Sequence, residues 1–202
     1  MTVITRRGLI QVGAALAASG LALRKAAALG RPRGVELRVL FVDEKSSDAD
    51  AFGRAAVALD LRVQVIGDEL TEFYWIERPR KHDEPIAIGG LTRAPQLFIL
   101  ERLAWAAGMR LVFLGRHVTL NGEPAHALMG PQLAIDFFHT SVRLIDWRIA
   151  LAHTLTEVPR MTPALKPVSA VRDAVIEGDA ALFSWVAAPV PRQGRYALGG
   201  VA

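Results

Sequence analysis

The sequence predicts an α/β protein built on a three-layer, doubly wound, mostly parallel sheet of Rossmann or flavodoxin type. Three observations carry that expectation. Residues 86–114 read as a buried strand, a turn, an amphipathic helix and a second buried strand, and strands joined through a helix run parallel. Two earlier apolar runs, 37–42 and 62–66, are each followed by a helical pattern, so the order from 35 to 115 is β-α-β-α-β-α-β. The runs 86–88 and 111–114 are apolar without alternation, as strands covered on both faces must be.

In chain order, residues 30–34 form a linker and 37–42 the first strand, which ends at Asp43 and Glu44. Ser47, with Asp50 three positions on, resembles a capping box and opens a helix with Phe52, Ala55, Ala56 and Leu59 on its inner side. The second strand, 62–66, ends at Gly67-Asp68. A short helix over 69–77 carries Phe73, Tyr74 and Trp75, and a charged loop over 79–85 leads into the third strand. Gly89 and Gly90 are then expected to make a sharp turn and Thr92 to cap the next helix. Pro95 suits its first turn, Leu97, Leu100, Leu103 and Ala104 its core side, and Gly108 its end.

After the fourth strand, Asn121-Gly122 signals a β-hairpin, with Pro124 confined to an edge. One long helix is expected over 131–155, apolar along Ala134, Phe138, Val142, Ile145 and Ile149. Its polar stripe is Asp136, His139, Arg143, Asp146 and His153. Three prolines between 159 and 167 mark a strap, 171–189 read as a short strand pair, and 192–202 as a loose tail. The expected division is 1–30 as a separate N-terminal segment, 31–158 as the α/β domain, and 159–202 as strap, strands and tail packing on that domain.

Composition excludes several chemistries. The chain has no cysteine, so disulfides, thiolate-ligated metals, cysteine-held iron–sulfur clusters, c-type haem and thiol catalysis are all out of reach. The formal charge of +4 suggests nucleic acid, but its distribution argues against it. Arg6, Arg7, Arg24 and Lys25 account for all of it, and elsewhere basic and acidic residues balance, so no phosphate-backbone footprint is expected.

Thr5-Arg6-Arg7-Gly8-Leu9-Ile10-Gln11 precedes an apolar, small-residue run to Leu23, then Arg24-Lys25 and a stretch of alanines. This segment resembles bacterial twin-arginine export signals, Ser/Thr-Arg-Arg-x-Phe-Leu-Lys, with Gln11 departing from the usual Lys. The resemblance implies passage through the twin-arginine translocase, folding before export and a periplasmic location, with no membrane span left after cleavage. A retained inner-membrane anchor is the alternative, although residues 8–23 fall short of the ~20 that a spanning helix needs.

In an open parallel sheet, ligands lie outside the carboxyl ends of the strands. Those ends nominate Asp43, Asp68, Gly89, Gly90, Thr92 and His117 as ligand-binding candidates. There, Thr92 and its helix N-terminus would receive an anion, while Asp43 or Asp68 takes a hydroxyl or a metal. The same residues read equally as caps and turns. No dinucleotide fingerprint, P-loop or nucleophile elbow is present, and no catalytic set or cofactor is assigned. His117 and His126 flank the hairpin turn and can face each other across it. They lack tight metal-ligand spacing, so no metal site is assigned. His139 and His153, on one continuous helix, would stand about 21 Å apart.

Two functions from different classes remain open: a non-catalytic periplasmic binding or accessory protein with a possible protein partner, and a small hydrolase-type enzyme at the sheet edge. The export reading has its own test. Replacing Arg6 and Arg7 by a pair of lysines should leave the precursor in the cytoplasm on cell fractionation, and undiminished export would overturn it.

Overall fold

The computed structural model describes residues 35–68, 86–161, 167 and 181–189. The expected signal (1–30) and linker, the helix over 69–77 and its charged loop, residues 171–180 and the tail over 192–202 lie outside the described residues. Within them the chain forms a mixed α/β fold of six strands and four α-helices. The strands are β1 (Glu36–Asp43), β2 (Val63–Ile66), β3 (Ile86–Arg93), β4 (Met109–Leu120), β5 (Glu123–Met129) and β6 (Leu182–Pro189). The helices are α1 (Ser47–Val57), α2 (Ala94–Ala106), α3 (Gln132–Ser141) and α4 (Trp147–Glu157), followed by a 3-10 turn, Val158–Met161. No helix among the described residues is long and apolar enough to cross a membrane.

The sheet order is β2-β1-β3-β6-β4-β5. β1 pairs parallel with both β2 and β3, whereas β6 is antiparallel to β3 and to β4, and β4 to β5. Two of the five pairings are therefore parallel and three antiparallel, so the sheet is mixed rather than mostly parallel. β3 and β4 do run in one direction, as their connecting helix requires, but β6 separates them. The sequence of β6 explains its place. Leu182, Val186 and Ala188 join the core beneath α1, α3 and α4, while Phe183, Trp185 and Ala187 join the core beneath α2. A strand apolar on both faces belongs mid-sheet. The expected C-terminal strand pair thus contributes its second member to the centre of the sheet instead of packing against it.

Three local expectations also change. Gly89 and Gly90 sit inside β3, not in a turn, because neighbouring strands approach too closely for a side chain. A Cβ at Gly90 would run into the Phe41 carbonyl oxygen, and one at Gly89 would lie 2.7 Å from the Trp185 carbonyl oxygen. The first helix takes its N-cap from Ser46, whose hydroxyl accepts from the Ala49 N–H at 3.2 Å, one residue before the expected position. The single long helix is two. α3 stops at Ser141, and Asp146 caps α4 by accepting from the Arg148 N–H at 2.9 Å. Edge strand β2 leaves Val65 exposed.

The two kinds of glycine should respond differently to substitution. Gly90→Ala should cost ~3 kcal/mol or more, as an overpacked core position facing backbone. Gly108→Ala, at φ +82° with nothing within 4 Å, should cost only ~1 kcal/mol from its left-handed backbone. Urea unfolding of the two variants measures both, and equal costs would contradict the packing account.

Candidate functional site

The parallel half of the sheet brings three strand ends to one edge. Asp43 is the last residue of β1, Gly67-Asp68 follow β2, and Arg93 ends β3. Pro95 in the first turn of α2 makes Arg93 the last extended residue, and its N–H donates to the Gln96 side chain at 2.9 Å. Its guanidinium then reaches across the edge. Nε donates to the Asp43 carboxylate and Nη2 to Asp68 at 2.9 Å. Lys45 completes the ring, its backbone N–H donating to Asp43 at 2.8 Å and its ammonium pairing with Asp68.

The two carboxylates are not equivalent. The Asp43 side chain is fully buried, while that of Asp68 is 61% exposed. A buried carboxylate needs its partner, because an uncompensated charge out of water costs several kcal/mol. The Arg93–Asp43 pair is therefore fixed. The pairs to Asp68 are surface ion pairs, weakened by solvent screening. Hydrogen bonds from Lys45 and Arg93 hold Asp68 below the usual carboxylate range.

Of the candidates nominated from the sequence, Asp43 and Asp68 meet in this network. Thr92 does not join them. Its buried hydroxyl accepts from the Trp185 indole N–H at 3.2 Å, and Arg93 occupies the N-cap position assigned to it. Gly89 and Gly90 lie within the strand, behind the edge. Arg93 and Lys45 were not among the candidates.

His117 belongs to a second cluster, on the face of the sheet beneath α3 and α4. Register pairs it with His126 across the hairpin, as the turn chemistry implied, with the two Nδ1 atoms 2.7 Å apart. Its Nε2 lies 2.7 Å from Ser184 Oγ on β6, and Trp147 stacks on its ring at 5.1 Å. The break between α3 and α4 places Trp147 there, at the first position of α4. Gly115 leaves room for the Ser184–His117 contact, since a Cβ would lie 3.0 Å from His117 Nε2. His139 and His153 sit on different helices, so the single-helix spacing no longer applies. Among the described residues no three metal-ligating side chains group together.

The Ser–His–His chain resembles a nucleophile and its base in distance alone. Ser184 is fully buried and His117 almost so. Each ring nitrogen of His117 has a neutral partner, one imidazole donating and the other accepting between the Nδ1 atoms. Burial, with His126 adding to it, pushes His117 down to about 3, and burial followed by the charge of His139 lowers His126. Both shifts favour the neutral imidazoles.

No protein-family model, curated protein or solved structure matches the chain.

Neutral burial of His117 has a pH signature. The unfolded chain binds a proton at this residue below about 6.5 that the folded one refuses until about 3. Stability is complete above that window and falls with acidification at about 1.4 kcal/mol per pH unit. Urea unfolding from pH 7 to pH 4 should therefore give a flatter profile for His117→Gln than for the parent. Parallel profiles would show that His117 is protonated in the fold.

Proposed function

We propose that this chain is an exported, non-catalytic binding or accessory protein that takes a small anion, a carboxylate or phosphate, at the carboxyl edge of β1, β2 and β3. The observation that carries this reading is the unequal sharing of Arg93 between buried Asp43 and exposed Asp68. Asp43 fixes the guanidinium in place. Asp68 occupies the Arg93 Nη2 donor and the Lys45 ammonium, but only through solvent-facing ion pairs that another anion can replace. The edge is also where an open parallel sheet presents its ligand site, and the β2-β1-β3 half is the part we read as doubly wound.

The hydrolase alternative has less support. Its nearest constellation, Ser184 and His117, is buried beneath helices α3 and α4. The export half of the proposal rests on the twin-arginine resemblance of residues 5–28 and implies a periplasmic site of action.

Calorimetric titration with inorganic phosphate and with succinate tests the ligand half. Asp68→Asn removes the internal competitor and should tighten binding by about tenfold, which is 1.4 kcal/mol. Lys45→Gln should weaken it without unfolding the protein. Absence of binding by both parent and Asp68→Asn, or weaker binding by Asp68→Asn, would refute the proposal. Native mass spectrometry of protein isolated from periplasm should show a bound anion lost on denaturation.

A further inference from the structure

Helix α2 covers the second core with Gln96, Leu97, Leu100 and Ala104, and a helix with one covered face ordinarily turns a polar face outward. This one does not. Phe98 is 54% exposed, Trp105 51%, and Ile99 and Leu103 are exposed beside them. The only charged residues of the helix are Glu101 and Arg102. Arg102 lies over both aromatic rings, its guanidinium carbon 5.2 Å from the Phe98 centroid and 5.5 Å from that of Trp105. Arg110, at the start of β4, stacks over Trp105 at 4.8 Å and donates to the Met109 carbonyl at 2.8 Å. Among the described residues neither guanidinium is paired with a carboxylate. A guanidinium stacked by its face keeps its N–H edge outward, in the fork that matches a carboxylate.

We infer that the outer face of α2 is a docking surface for an acidic amphipathic segment of another protein, whose apolar side chains cover Phe98 and Trp105 while its carboxylates engage Arg102 and Arg110. Charge complementarity selects this occupant. A second copy would bring two such cationic faces together, with only Glu101 from each to offset them. An anionic membrane fits less well, because interfacial helices carry cations on the polar flanks, whereas Arg102 lies within the apolar stripe. The inference goes beyond the strand-end reading and does not depend on it.

The test uses the purified full chain and a labelled helix-forming peptide of about fifteen residues. The peptide carries Leu and Phe on one face and Glu along its flanks, and its control replaces each Glu with Lys. Fluorescence anisotropy should show salt-sensitive binding of the acidic peptide alone. Arg102→Glu should weaken it at least tenfold, and Trp105→Ser likewise, with midpoints of thermal unfolding unchanged. Binding of both peptides alike, or of neither, overturns the inference. So does co-sedimentation with phosphatidylglycerol vesicles that Arg102→Glu abolishes while the peptide stays unbound. A dimer in sedimentation velocity that Trp105→Ser dissociates would assign the face to a second copy. A large fall in unfolding temperature for both variants would assign it to the protein's own packing. Titration of the strand-end anion site is unaffected by any of these outcomes, so the two proposals fail separately.

Discussion

The double pairing of β6 holds the described fold together. On one side it closes the parallel half, on the other the β4–β5 hairpin, and among the described residues no other strand pairing joins the two. Without it, β3 and β4 would each present an open edge of unpaired N–H and C=O groups. Trp185 anchors the strand in depth. It is fully buried, stacks on Phe41 at 6.1 Å between centroids, and satisfies its indole N–H on Thr92. A buried indole without an acceptor would be costly, so Thr92 is committed to the core and withdrawn from the strand-end edge.

That commitment shows where local sequence reading reaches its limit. The strands β1 to β4, the hairpin at Asn121-Gly122 and the end of α2 at Gly108 were legible because each rests on short-range physics: apolar periodicity or a residue tolerant of positive φ. Strand order depends on partners far apart in the chain. β6 carried the same signal as residues 86–88, an apolar run on both faces, but reading 171–189 as a strand pair favoured a local hairpin over a central place. The long helix failed for a related reason. Val142, Ile145 and Ile149 keep helical spacing across the break, while Asp146 ahead of Trp147-Arg148 carries the competing cap signal.

The candidate edge was half legible. Asp43 and Asp68 stood out because acids at strand ends are informative in an open sheet. Arg93 was hidden by the assumption that the glycine pair ended the strand. With Gly89 and Gly90 read as residues of close strand approach, β3 runs on to the turn containing Pro95 and places a cation opposite the two acids. The signal was present, in that a proline in the first helical turn fixes the last extended residue just before it.

Burial then ranks the groups in a way that charge alone does not. The strand-end edge and the histidine cluster both gather polar side chains, and both satisfy them internally. In the histidine cluster His117 and Ser184 are buried and His126 is half-buried, so charging His117 means bringing charge into an apolar layer between Trp147 and Phe138. At the edge, one ion pair is enclosed and the other faces water. Arg93 is thus held at its position by a carboxylate that cannot leave, while offering donors to one that can be exchanged. A side chain fixed by a buried partner is preorganised, so an incoming anion does not have to order it. That difference, rather than the number of polar groups, is why we propose the edge, and not the Ser–His–His chain, as the anion site.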